Sequence, residues 1–134
     1  DALTAVVERH PNTQYARDSK LKIDLARDHL SAKEMNIGRY YLRKRLFAAA
    51  IKRFGYVIEH YQTTTHVPEA LHRLTEAYLS LGIFEEAQTA AAILGHNYPG
   101  SDWYRYSYAL LKKNQLTPEN KKDSWISKIW DSIF

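Results

Sequence analysis

The chain has no cysteine in its 134 residues. That excludes a disulfide scaffold, a thiolate metal site and a cysteine nucleophile, while cytoplasm and periplasm suit such a composition equally. Five Gly and four Pro make about 7% of the sequence, against roughly 12% on average. So few chain breakers favour long helices over turn-rich β-structure. No apolar run approaches the ~18 residues of a membrane span, and no signal-peptide pattern opens the chain. Charge of one sign is only mildly in excess: 19 Lys and Arg against 15 acids, a net +4 and a pI near 9.2. A nucleic-acid binder needs many clustered phosphate contacts. Here acids and bases alternate, which reads first as a solvated face and second as a surface for a protein partner.

Catalytic signatures are missing as well. There is no phosphate-cradling Gly loop, no G-x-S-x-G elbow and no H-E-x-x-H. His66 and His72 fall on different faces of a helix, and His10, His60 and His96 recur just before turns. Glu85 and Glu86 diverge by about 100° on a helix, too far apart to act as a carboxylate pair. The expectation is a non-enzymatic chain with no metal, no cofactor and no catalytic residue.

What is present is an apolar fraction of 45%, enough for one sizeable core, and an internal repeat. An offset of 37 residues lays Tyr40-Tyr41-Leu42 on Ala77-Tyr78-Leu79, Phe47 on Phe84, Ala50 on Ala87, Val57 on Leu94 and Tyr61 on Tyr98. That spacing is a stretched tetratricopeptide repeat, in which antiparallel helix pairs stack into a solenoid. Ala48–Ala50 and Ala87 with Ala90–Ala92 would let paired backbones approach, and Tyr41, Phe47, Tyr78 and Phe84 would fill the wedge between pairs. Gly82 sits where a chain leaving a helix needs positive φ. Its counterpart Arg45 lacks that freedom, so the earlier turn is expected to be tighter or partly helical.

The resulting fold class is all-α, a tetratricopeptide-like helical-pair solenoid with a long leading helix. Residues 1–10 read as the second helix of a unit whose first half is missing, so Asp1 reads as a truncation or proteolytic boundary. Pro11-Asn12-Thr13 turns the chain. A long helix from about Gln14 to Lys44 carries the stripe Ile23, Ala26, Leu30, Ile37 and Tyr41, with a bend expected at 30–32. Helices at Leu46–His60, Pro68–Leu81, Phe84–Asn97 and Trp103–Lys113 come next, the last capped by Ser101. Two regions result: repeats over 1–113, and a linker with an amphipathic C-terminal helix over 114–134.

In that tail Trp125, Ile126, Ile129, Trp130, Ile133 and Phe134 share one half of a helix, with Ser127, Lys128, Asp131 and Ser132 opposite. Thr117-Pro118 would serve as N-cap and first turn. So much exposed apolar surface would invite aggregation. The tail should therefore fold back on the open end of the solenoid, dock in a partner's groove or lie on a membrane surface.

At Pro11-Asn12-Thr13-Gln14-Tyr15-Ala16, at Tyr40-Tyr41-Leu42-Arg43 and from Tyr61 to Leu71, the sequence resembles the C-terminal half of the BamD family. These are the tetratricopeptide-repeat lipoproteins of the outer-membrane β-barrel assembly machinery, the Bam complex. The likeness runs over about residues 1–113, with Gln62 where the family has a turn proline. The resemblance implies a scaffold at the periplasmic face of the outer membrane of a Gram-negative bacterium. Membrane attachment would come only from a lipidated N-terminal Cys absent from this sequence. The C-terminal repeats would hold the last periplasmic POTRA domain of BamA, with other Bam lipoproteins as further partners. Unfolded outer-membrane proteins would be met mainly by N-terminal repeats that are not present here.

The residues suggest where such docking would occur. Lys52 and Arg53 lie between Ile51 and Phe54 on the second helix of a unit and should border exposed surface. Arg53 with Tyr56 would form the centre of the patch, since an Arg beside an aromatic suits a desolvated anchor. Arg43 and Arg45, near Arg39 and Lys44, would flank it, although cations at a helix C-terminus are also expected without any partner. Trp125 and Trp130 complete the candidate set. The rival reading is a generic repeat adaptor that binds peptides on the concave face lined by the first helices. A membrane-active or nucleic-acid-binding protein is a third class, resting only on the tail and the pI.

Overall fold

The computed structural model describes residues 2–9 and 13–133, so the turn at Pro11-Asn12, the histidine at His10 and the end of the apolar tail at Phe134 lie outside the described residues. Seven helices are described: α1 (Ala2–Arg9), α2 (Gln14–Arg43), α3 (Phe47–His60), α4 (Val67–Leu81), α5 (Phe84–Asn97), α6 (Asp102–Lys113) and α7 (Trp125–Ile133). They pack as the repeat requires, α2 with α3, α4 with α5, and α3 with α4 across the units. The fold is all-α and tetratricopeptide-like.

The offset of 37 is visible in the hydrogen bonds. α2 ends with Leu46 N donating to Tyr41 O (2.9 Å) and Arg45 N to Leu42 O (2.9 Å). α4 ends with Ile83 N donating to Tyr78 O (2.9 Å) and Gly82 N to Leu79 O (3.0 Å). These paired bonds satisfy carbonyls that a helix end leaves open, and they need a left-handed residue just past the end. Gly82 supplies it at φ 74. Arg45 supplies it too, at φ 58, so the turn expected to be tighter has the same geometry as its copy. The second helices also close alike, with Tyr61 N on Val57 O and Tyr98 N on Leu94 O.

A third copy of the cap lies at the start of the segment expected to be a linker. Gln115 lies 33 residues after Gly82 and takes φ 62. Leu116 N donates to Leu111 O (2.8 Å) and Gln115 N to Lys112 O (2.9 Å), the same cap again. Thus α6 repeats α4. No second helix comes after it. Thr117-Pro118 does not start a helix; the chain runs on without helical bonds to a short turn and enters α7 only at Trp125. The cap of α7 is Ser124, whose Oγ accepts from Ile126 N (3.2 Å).

The core gathers Phe54, Val57 and Ile58 of α3, Leu71, Leu74 and Tyr78 of α4, and Ala87, Ala90, Ala91 and Leu94 of α5. Ala50 and Ala87, paired by the repeat, are both fully buried. Two expectations about the stripe change. Phe84 is 47% exposed and does not fill the wedge as Tyr78 does, because it stands at the first position of α5, before the helix enters the core. In α2 the buried positions are Ala16, Ser19, Ser31, Met35 and Gly38, while Ala26 and Leu30 face water. The small polar residues occupy the packed side because helix neighbours approach closely there, and α2 is continuous through residues 30–32.

Candidate protein-docking surfaces

Three groups of candidate residues stand apart in the fold. The first is on α3. Arg53 Nη1 donates to Glu34 Oε2 of α2 at 3.1 Å, with 40% of its side chain still exposed. The Glu34 carboxylate holds the Arg53 guanidinium above its ordinary pKa, through that hydrogen bond and its charge. Tyr56, one turn on, is exposed and stacks on His60 at 4.1 Å between ring centroids, with Tyr61 at 5.8 Å. Glu34, Lys52, Arg53 and Tyr56 together line a shallow depression. A cation held by an acid on the neighbouring helix is already oriented, so less side-chain entropy is lost when a partner meets it.

The second group is at the α2–α3 turn. Arg45 lies over the Phe47 ring at 5.3 Å, and Arg43 is exposed in the last turn of α2. Arg43 lines a different depression from Arg53, together with Arg39, Leu42, Phe47, Arg73, Glu76 and Ser80. The set read from sequence as one patch is therefore divided between two faces.

The third group is the tail. α7 folds back, but it packs across the second helices α3 and α5 instead of over the end of the solenoid at α6. The strap before it is tied to α5: Gln88 Nε2 donates to Thr117 O (3.0 Å), Glu119 N to Gln88 O (3.2 Å) and Lys121 N to Thr89 Oγ1 (3.0 Å). Ser124 hydrogen-bonds Glu86, and Trp125 Nε1 donates to the Tyr78 hydroxyl. Trp125 is half-buried, with its ring so close to Gly55 that an added Cβ would stand 2.9 Å away. Trp130 is buried with Ile126. Ser127, read as part of the polar face, is fully buried, and among the described residues it has the buried side-chain oxygen without a hydrogen-bond partner. The small hydroxyl fits where α7 meets the helices beneath it, and the helix meets them over a wider arc than its apolar stripe.

A further cluster, on the first-helix face, escaped sequence reasoning because its members lie far apart in the chain. Glu69 accepts from Arg39 Nη1 on α2, both oxygens at 2.8 Å, and from Arg73 Nε at 3.1 Å. Arg73 Nη1 also donates to Glu76 (2.7 Å), and its guanidinium lies 5.3 Å from the centre of the Trp103 ring on α6. His72 is buried between Ser107 Oγ, 2.8 Å from Nδ1, and Glu76 Oε1, 3.3 Å from Nε2. Burial pushes the Glu76 carboxyl up, but hydrogen bonds from His72 and Arg73 outweigh it and hold the group below its ordinary range. The network ties α2, α4 and α6 together. The one local signal was the i, i+3/i+4 spacing of Glu69, Arg73 and Glu76.

Among the described residues, no helix is long and apolar enough to cross a membrane, and no group of three or more His, Asp or Glu is arranged to hold a metal ion.

Comparison with known proteins agrees with the family resemblance. The family model described as "YfiO: Outer membrane lipoprotein" matches residues 1–93. The chain is 56% identical over 117 residues to the outer membrane protein assembly factor BamD of Caulobacter vibrioides, covering 87% of this chain and 38% of that protein. It is 54% identical over 115 residues to the protein of the same name from Rickettsia prowazekii, covering 86% and 46%. With that from Xylella fastidiosa the identity is 33% over 120 residues, covering 85% and 41%. The chain thus spans less than half the length of these relatives. It belongs to the YfiO family of outer membrane lipoproteins.

Proposed function

We propose that this member of the YfiO family is part of a non-catalytic scaffold in outer-membrane protein assembly, with its α3 patch docking the last periplasmic POTRA domain of BamA. The relatives' shared name, outer membrane protein assembly factor, supports the process. The observation that carries the docking surface is Arg53, half-exposed and braced by Glu34, one turn from the exposed, stacked Tyr56. Arg and Tyr are the residue types that dominate interface energetics, above all where a neighbour already orders them. Lys52 lies in the same depression, while Arg43 lines the other depression and Arg45 lies over Phe47 at the α2–α3 turn, so neither is part of this patch. In this reading Trp125, packed on Gly55 of α3, and the buried Trp130 act from within, by holding α7 against the second helices beside the patch. Other Bam lipoproteins and unfolded outer-membrane proteins are further partners of the longer protein, at the periplasmic face of the membrane.

The test is calorimetry of the chain with the purified periplasmic domains of its cognate BamA. One-to-one binding at about micromolar affinity or tighter is expected. Arg53→Glu should weaken it by more than about tenfold with helicity unchanged. An unaltered affinity would remove Arg53 from the surface, and absence of binding by the folded chain would remove the docking role.

A further inference from the structure

We propose that the edge of the solenoid formed by the turns after α2, α4 and α6 is a membrane-contact surface, built to rest on an anionic phospholipid bilayer. These first helices run parallel, as the stacked repeat requires, so the turns that end them lie in a row along one edge. The middle turn of the row has no cation and presents the exposed Leu81, Ile83 and Phe84. The turns on either side are basic and exposed: Lys44 and Arg45 before Leu46, and Lys112 and Lys113 at the end of α6. An apolar centre is thus flanked by cations on both sides.

The shared cap does not require this exposure. A bulky residue just past a left-handed cap commonly packs back on the helix it follows. Leu116, after Gln115, does so and lies against the core. Leu46 and Ile83, at the same position after Arg45 and Gly82, remain 52% and 43% exposed. The cations rest on rings or stand in water: Lys44 is 5.7 Å from the centre of the Tyr40 ring, and Arg45 lies over Phe47. Of the acids that come after Phe84, Glu86 is turned to Ser124 of the strap, which leaves Glu85 against four cations. The edge is therefore positive. Leu46, Leu81, Ile83 and Phe84 stand at the tips of turns and line neither depression described above. A convex row gives a folded partner no pocket in which to seat an anchor. A bilayer interface yields around each tip, so apolar side chains enter the acyl boundary while Lys and Arg reach the phosphates. The tail is a separate matter, since its apolar side is spent on α3 and α5. Membership of a lipoprotein family brings a bilayer within reach. This edge would set how the folded body lies on it, apart from any lipid anchor.

The test is flotation of the chain, carrying no lipid, with vesicles of about three parts phosphatidylethanolamine to one part phosphatidylglycerol. The chain should float with them, less so as salt is added, and phosphatidylcholine vesicles should not carry it. The sequence has no cysteine, so a single introduced thiol takes an environment-sensitive fluorophore at one position. On Ile83→Cys its emission should rise and shift to the blue with vesicles. On Thr63→Cys, exposed in the α3–α4 turn at the opposite edge, it should stay in place. Leu81→Ser/Phe84→Ser removes two exposed apolar side chains, and Lys44→Glu/Lys113→Glu reverses one exposed charge on each flank. Both should keep their helicity and bind about tenfold more weakly or worse. Arg53→Glu, on the α3 patch, should stay within about twofold of the parent chain, because its charge lies away from the turns. Absence of flotation by the folded chain, equal flotation with phosphatidylcholine, equal responses of the two labels, an unaffected double variant, or loss of binding in Arg53→Glu would each overturn the proposal. The first would leave the edge to a protein partner, and the last would move lipid contact to the α3 patch.

Discussion

The first helices of three units end in the same cap, yet the third cap leads into a different structure from the first two. After Arg45 and Gly82 the chain at once enters α3 and α5; after Gln115 it becomes a strap. The turn geometry is common to all three, so the turn does not decide what comes next. The residues beyond it do. Phe47-Ala-Ala-Ala-Ile and the alanines of α5 offer a small, apolar side that can be buried against a first helix. Thr117-Pro118-Glu119-Asn120-Lys121-Lys122 has none, so a helix there would bury nothing. Its backbone groups turn instead to Gln88 and Thr89 of α5. The apolar residues withheld from that position return a few residues later as α7.

The body and the tail should consequently fail in different ways. The largest effect is expected in the body. Phe54 is fully buried at the centre of the core, and Phe54→Ala should cost about 3–5 kcal/mol. Thermal unfolding followed by circular dichroism should show the whole helical signal melting earlier, because α2, α3 and α4 share that core. Loss of the tail alone, with the body's midpoint unchanged, would contradict it.

Trp130→Ala addresses the other side of the comparison. It removes the larger buried anchor of a nine-residue helix, at a cost of about 3 kcal/mol. A helix that short is not stable by itself. The tail should detach and melt while the body stays helical. Trypsin would then cut rapidly at Lys121 and Lys122, leaving a resistant core. Equal resistance in parent and variant would mean that α7 is held without its indole. A smaller loss, about 1 kcal/mol, is expected from Thr89→Val, which keeps the shape and removes the acceptor of Lys121 N–H. Its signature is faster amide exchange confined to the strap.

The same contrast explains which features were legible in the sequence. The helix pairs were legible because local signals agreed with long-range ones: a 37-residue register, Ser101 before α6, Pro68 in the first turn of α4. The third unit has a legible helix but no legible register, because its period changes to 33 and only half of it is present. Thr117-Pro118 is a sound local helix start, but tertiary hydrogen bonds to α5 outweigh it and α7 starts later. For the site, the exposure of Lys52 and the half-exposure of Arg53 were implied by their place on α3. The division of Arg43 from Arg53, and the ion network through Glu69 and Glu76, depend on which helices meet, and single-chain spacing does not carry that.

The smallest effects are the sharpest test of the shared cap. A left-handed residue costs a side chain about 1 kcal/mol or more that glycine does not bear. Gly82→Ala should lose about that amount, and nothing else, since an added Cβ would meet no atom within 4 Å. Gln115→Gly should gain up to about 1 kcal/mol, less the extra freedom glycine has when unfolded. Arg45→Gly removes the same strain but also forfeits the guanidinium over Phe47. An exposed contact of that kind is worth about 0.5–1 kcal/mol, so its net gain should be smaller than that of Gln115→Gly. Urea unfolding of the three variants under one set of conditions gives the ranking. If Arg45→Gly stabilised most, the ring contact would contribute nothing, and Arg45 would stand at the turn without a structural reason for being other than glycine. Its exposed cation would then be better explained by a partner than by the fold.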